Sequence, residues 1–204
     1  MSPSQLDDGL PMLHLQAGET LEPTDLRDAA FVIVEHGLVV LRSVIPGTTR
    51  RTITCHAGSG TIILPPGHDE VLVALIVATL ALITGEVRDR LLQSPDSARR
   101  LVDGLAQTLR QKQAAIASMS RLHHVDRVRE KLIELAREHG RVGREGVRLD
   151  FPLTHDLLGE MTGSARETVT RALDELQREG FVVRNGRTYS LHVAPEELIV
   201  SHGL

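Results

Sequence analysis

Arg166, Glu167, Thr170 and Arg171 fall at i, i+1, i+4 and i+5, so on a helix they share one face. Their side chains suit the edges of DNA bases. A guanidinium can donate two hydrogen bonds to guanine O6 and N7, and a carboxylate can accept one from cytosine N4. Charged residues at helical spacing also make ordinary solvated faces, so the surrounding elements must decide between the two readings.

Those elements are legible on both sides. Thr154 is an N-cap for a first helix with Leu157, Leu158 and Met161 on its apolar face, and Gly163 ends it. Ser164, with Glu167 three residues on, has capping-box spacing and predicts a second helix to about Glu179, stopped by Gly180. Val169, Ala172, Leu173 and Leu176 give that helix its packing face. Phe181 to His192 then shows two alternating apolar runs around Asn185-Gly186, the pattern of a β-hairpin. Two helices joined by a tight turn and followed by a hairpin make a winged reader of the major groove. Arg184 and Arg187 flank the hairpin tip, where they can meet backbone phosphate.

From about Leu122 to His192 the chain resembles the winged-helix domain of the Crp/Fnr family of bacterial transcription regulators, most closely over Ser164 to Arg171. The resemblance implies that Arg166, Glu167 and Arg171 contact bases of a TGTGA-like half-site. It places Ser164, Thr168 and Thr170 near the phosphates.

Composition is that of an ordinary globular protein, 41% hydrophobic and 25% charged over 204 residues. With 2% aromatics and no Trp, its cores must be aliphatic. A net charge of -4 does not fit a protein that coats nucleic acid, so DNA contact has to come from a local basic face. The single Cys excludes an internal disulfide and any four-Cys metal or iron-sulfur centre within the chain. Met1 to Gly9 lacks the pattern of a signal peptide, and the apolar run Val71 to Ile83 is too short for a membrane span and reads as buried β-strands. The expectation is a cytoplasmic protein with no membrane association. No nucleophile elbow, P-loop or His-Glu-x-x-His spacing occurs, so no enzyme activity, catalytic residue or cofactor is expected.

Between Leu10 and Ile83, short strand-like runs punctuated by Gly and Pro suggest an antiparallel sandwich or barrel: 13–15, 31–35, 38–44, 52–55, 61–64 and the run from Val71. Ala17-Gly18-Glu19, Glu35-His36-Gly37 and His56 to Gly60 resemble the β-roll of the same family, more loosely than the C-terminal half does. Family members that bind cyclic nucleotides carry a Gly-Glu pair and an Arg that meets the cyclic phosphate. Here the chain runs Pro65-Pro66-Gly67-His68-Asp69-Glu70, with no such pair and no Arg, and Arg50 and Arg51 lie outside the segment. Two carboxylates at that place would repel a phosphate, which predicts a degenerate roll that binds no cyclic nucleotide. Cys55 reads as a small buried hydrophobe, with a redox role as the alternative. His14, His36, His56 and His68 have no ligand spacing, so no metal is expected. His123-His124 falls near the expected hinge, where solvated histidines are the plainer reading.

From Ser97 to about Leu122 the pattern is helical, with Pro95-Asp96-Ser97 as its start. Val102, Leu105, Leu109, Ile116 and Met119 trace a coiled-coil seam interrupted by Lys112; packing of the helix on its own sheet is the alternative. The resemblance favours a homodimer, which would set two recognition helices about 34 Å apart on a palindrome of double-stranded DNA. Val125, Val128, Leu132, Ile133 and Leu135 begin the next helix, and Gly140 to Gly146 reads as a polar exposed loop. In activators of the family the corresponding loop touches RNA polymerase.

The expected fold class is α+β: an antiparallel β-roll of jelly-roll type over 1–94, a dimerisation helix over 95–122 and a winged helix-turn-helix over 123–204. The expected function is a sequence-specific regulator. Alternatives are control by an unidentified small ligand or by Cys55 chemistry, or a sensor module whose winged helix contacts protein.

Overall fold

The computed structural model describes residues 10–44, 47–48, 50–119, 123–143 and 146–193, and the chain divides into two compact units at residues 116 and 117. Among the described residues the first unit holds eight strands: β1 (Met12–Leu15), β2 (Thr20–Leu21), β3 (Ala29–His36), β4 (Leu38–Val44), β5 (Arg51–Gly58), β6 (Ile62–Ile63), β7 (Glu70–Ala74) and β8 (Ala78–Thr84). They form two four-stranded antiparallel sheets, ordered β1-β8-β3-β6 and β2-β7-β4-β5. The apolar run from Val71 is thus two strands of different sheets.

Alternation along each strand makes the sandwich core. Val32, Val34, Ile63 and Leu80 from one sheet meet Val39, Leu41, Cys55 and Leu72 from the other in one buried cluster. Ile33, Ala81 and Ile83 point to the outer face of the first sheet. That face is covered by Val87 and Leu91 of α1 (Gly85–Leu92), a helix the sequence reading did not anticipate. Its signals were present: Thr84 accepts the Val87 amide at 3.4 Å as an N-cap, Glu86 sits in the first turn, and the apolar pair is at i, i+4.

The long helix α2 (Pro95–Met119) starts at the first residue of its Pro95-Asp96-Ser97 start signal; residues 120–122, where it was expected to end, lie outside the described set. One of its faces lies on the second sheet and β6. Gly104 lets Ile62 come close, and the Thr108 hydroxyl donates to the Ile62 carbonyl at 2.7 Å. The Cys55 thiol, buried, lies 3.4 Å from Gln111 Oε1.

The second unit contains α3 (His124–His139), β9 (Arg141–Gly143), β10 (Gly146–Leu149), α4 (His155–Thr162), α5 (Arg166–Arg178), β11 (Val182–Asn185) and β12 (Thr188–Leu191). Val128, Leu132 and Leu135 of α3 are buried together with Leu158, Met161, Leu173 and Leu176 of the two following helices. The segment expected as a polar loop is instead an antiparallel ladder, with β9 at the edge of a sheet ordered β11-β12-β10-β9. Arg141, Val142 and Gly143 are all exposed, which is why the strand was unreadable: an edge strand with no buried face has no alternation to show.

Candidate nucleic-acid interface

The helix-turn-helix is built from local signals. Thr154 caps α4 by accepting the Leu157 amide at 3.1 Å, and Gly163 closes it in the left-handed region at φ 63, which costs other residues energy. Gly159, inside α4, faces the turn so closely that a Cβ there would sit 2.7 Å from the Ser164 carbonyl oxygen. That approach sets the crossing of the two helices.

The start of α5 differs from the expected capping box. Ala165 is the N-cap and has no side-chain cap bond, so Ser164 lies one residue outside it. The Ser164 hydroxyl instead accepts from Arg127 at 3.2 Å and reaches the Thr162 carbonyl at 3.4 Å. Arg127, on α3, also meets His124. A buried guanidinium thereby ties the first helix of the unit to the turn, and the first amides of α5 are left without a side-chain cap.

On α5, Val169, Ala172, Leu173 and Leu176 are buried as the periodicity requires. Arg166, Glu167 and Arg171 are all exposed and share the outer face, while Thr168 and Thr170 are half-buried at its margin. Arg166 makes an exposed ion pair with Asp156 at 3.3 Å, and Arg171 Nε lies 3.5 Å from the Glu167 carbonyl. Exposed pairs of this kind are weak and exchange readily for a better acceptor.

Thr170 is held from two sides. Its hydroxyl donates to the Arg166 carbonyl at 3.0 Å, and the His155 Nδ1 lies 2.8 Å from the same oxygen. Burial holds the His155 pKa below the ordinary imidazole value, and the charges of Arg184 and Arg166 push it the same way. Asp174 and Asp156 oppose the shift. The ring Nε2 is buried with no hydrogen-bond partner among the described residues.

The wing is the pair β11 and β12, closed by a two-residue turn at Gly186-Arg187 with Asn185 opposite Thr188. Gly186 has φ 66, which suits the first central position of a type II′ turn. Arg184 and Arg187 are both exposed; Arg184 Nε donates to the Gly186 carbonyl at 2.8 Å. The Arg187 carbonyl accepts the Leu153 amide at 2.8 Å, tying the wing to the entry of α4. His155, Arg127 and Gly159 escaped the sequence reading, because their partners lie 15, 37 and 5 residues away across a fold that periodicity does not describe.

On α2, Val102, Leu109 and Ile116 are 62%, 57% and 63% exposed, and Leu105 is half-buried. The side chain of Met119 lies outside the described residues. Lys112, the interruption in this stripe, reaches back to Glu70 at 3.5 Å. Glu70 also accepts the Gly67 amide at 3.0 Å and the Ser43 hydroxyl at 3.3 Å. No helix of the described residues is long and apolar enough to cross a membrane.

Residues 126–198 match the Crp-like helix-turn-helix domain. A global nitrogen regulator of Synechocystis sp. is 32% identical over 98 residues, covering 48% of this chain and 43% of that protein. A CRP-like cAMP-activated global transcriptional regulator of Mycobacterium tuberculosis is 26% identical over 102 residues, covering 50% and 46%. The chain thus spans about half the length of these curated relatives. Among solved structures, FixK2 from Bradyrhizobium japonicum superposes with a TM-score of 0.76 at 23% identity, covering 93% of this chain and 96% of that one. A CRP-family transcriptional regulator from Thermus thermophilus gives 0.73 at 21% identity, covering 91% and 94%. Residues 126–198 thus carry a Crp-like helix-turn-helix domain, and the order of sheets, long helix and winged domain is the fold seen in Crp/Fnr family transcriptional regulators.

Proposed function

We propose that the protein is a cytoplasmic, homodimeric, sequence-specific DNA-binding regulator that reads a TGTGA-like inverted repeat and needs no cyclic nucleotide to do so. The observation that carries this reading is the joint exposure of Arg166, Glu167 and Arg171 on one face of α5, with Arg184 and Arg187 exposed on the wing. Arg166 and Arg171 supply bidentate donors for guanine, and Glu167 an acceptor for cytosine N4. Ser164, Thr168 and Thr170 lie near the phosphates, and the wing arginines donate to them and set the register.

The homodimer is supported by the exposed stripe Val102, Leu109 and Ile116, which recurs every seven residues on a helix whose other side is already packed. Independence from cyclic nucleotide is supported by Glu70. Its carboxylate lies in the segment where nucleotide-binding relatives place their phosphate partner, and it already accepts from Gly67, Ser43 and Lys112. A phosphodiester brought there would have to displace a carboxylate that already holds those three donors. RNA polymerase is the further partner of this reading, touched through the exposed β9 ladder.

The test is a fluorescence-anisotropy titration of the ligand-free protein on a TGTGA-type palindrome and on a scrambled duplex, with and without cyclic AMP. Specific binding unchanged by the nucleotide is expected, and Arg166→Ala should weaken it by about 1–3 kcal/mol while relaxing discrimination at one base position. Binding that requires cyclic AMP would overturn the Glu70 argument. Undiminished binding by Arg166→Ala would overturn the assignment of base contacts.

A further inference from the structure

His155 is the first residue of α4, half-buried between the recognition helix and the wing. The Thr170 hydroxyl has one proton, and it points to the Arg166 carbonyl. Thr170 Oγ1 can therefore only accept from His155, which makes the ring an Nδ1–H donor and leaves Nε2 as a buried lone pair with no partner among the described residues. The charged groups facing it are Arg184 on β11, Arg166 and Asp174 on α5, and Asp156 on α4. Burial disfavours a positive charge there, and the guanidinium groups of Arg184 and Arg166 push the same way.

We propose that His155 is a proton-linked positioning residue: it holds Thr170 on the DNA-facing side of α5 and takes up a proton at Nε2 when a backbone phosphate closes over that corner. The proposal rests on the DNA-binding reading above. A phosphodiester beside Thr170 reverses the local field, since it neutralises the Arg166 and Arg184 charges that act on the buried ring. Protonation leaves the Nδ1–H donation to Thr170 intact, so the positioning survives the charge change.

The sign follows from linkage. The ring's pKa in the free protein is below the ordinary value, and on this proposal the phosphate's negative charge raises it in the complex. Between the two values binding takes up a proton, so affinity falls as pH rises through that window. Each unit of separation is worth about tenfold in Kd. Above the window the ring is neutral in both states and the dependence on its protonation ends.

The experiment measures Kd for the TGTGA-type palindrome from pH 5.5 to 8 at fixed ionic strength, for the wild type, His155→Asn and His155→Ala, each checked for folding by circular dichroism. Asn keeps a donor at the δ position and cannot titrate. The expected result is a wild-type Kd that rises with pH, and a His155→Asn protein that matches it at pH 8 but has lost that slope. His155→Ala, which leaves Thr170 unheld, should bind more weakly throughout. A flat wild-type profile, or the same slope in His155→Asn, would overturn the proposal while leaving the regulator reading intact. Absence of specific binding at every pH would take down both.

Discussion

Leu109→Lys is the sharpest perturbation of the proposed dimer seam. Leu109 is 57% exposed on the single chain and makes up the centre of the stripe with Val102 and Ile116. Burying a whole leucine side chain contributes about 1.5–3 kcal/mol, so covering the part now exposed is worth about 1–1.7 kcal/mol per protomer. The two-fold axis doubles this to about 2–3.4 kcal/mol, a rise of about 30- to 300-fold in the dimer dissociation constant. Two ammonium groups brought together across the axis, each three residues from its own Lys112, push in the same direction. Lysine is close to leucine in helix propensity, so α2 itself should persist. Sedimentation equilibrium of the wild type and variant gives the dissociation constant directly, and anisotropy on a palindrome against a single half-site separates assembly from base reading. The variant should bind the half-site as the wild type does and lose the advantage of the palindrome. An unchanged dissociation constant would refute the seam.

Three further outcomes follow from single contacts. Gly159→Ala sets a gain of about 1 kcal/mol in helix propensity against about 1–3 kcal/mol of overpacking, since the new methyl would lie 2.7 Å from the Ser164 carbonyl; thermal denaturation should show a small loss of stability, and anisotropy a loss of specific binding of about tenfold, whereas wild-type binding would mean the turn yields freely. Tyr189 is fully buried with its hydroxyl unpartnered among the described residues, so Tyr189→Phe should leave the midpoint of thermal unfolding unchanged or raise it, by up to about 1–2 kcal/mol of stability; a clear fall would reveal a partner. Asp150 is held below the usual carboxylate range, first by its hydrogen bond from Arg148 and also by the charges of Arg148 and Arg141. Its stabilisation is present above the unfolded carboxylate value of about 4 and disappears as pH falls through the lower folded one, so Asp150→Asn should lower the melting temperature at pH 7 and converge with the wild type in acid.

What could be read from the chain and what could not divide along one physical line. The caps at Thr154 and Gly163, the buried faces of α4 and α5 and the alternating strands of the roll are local patterns, each complete within a few residues, and each was legible. The winged domain needs little else, so Arg166, Glu167 and Arg171 were found on one exposed face as expected. Contacts closed over longer separations were not legible. The spacing from Ser164 to Glu167 promised a capping box, but Arg127, 37 residues earlier, takes the hydroxyl and the helix begins one residue later. Lys112 looked like a flaw in an apolar stripe until Glu70, from a strand edge 42 residues upstream, supplied its partner. The helix α1 was a different kind of miss: its cap and apolar pair were in view, and eight residues were too few to stand out beside the strand they follow.

In the proposed dimer, the ion pair between Lys112 and Glu70 separates self-association from DNA contact by ionic strength. Lys112, which interrupts the stripe, is answered from within its own chain, so what Val102, Leu109 and Ile116 offer a second copy is hydrocarbon. Salt screens charges and leaves apolar burial almost untouched. Contact with DNA through arginines releases counterions and weakens steeply as salt rises. Raising the salt should therefore strip the proposed dimer from DNA while leaving it whole, so that on this reading the free pool from which DNA is searched is already paired.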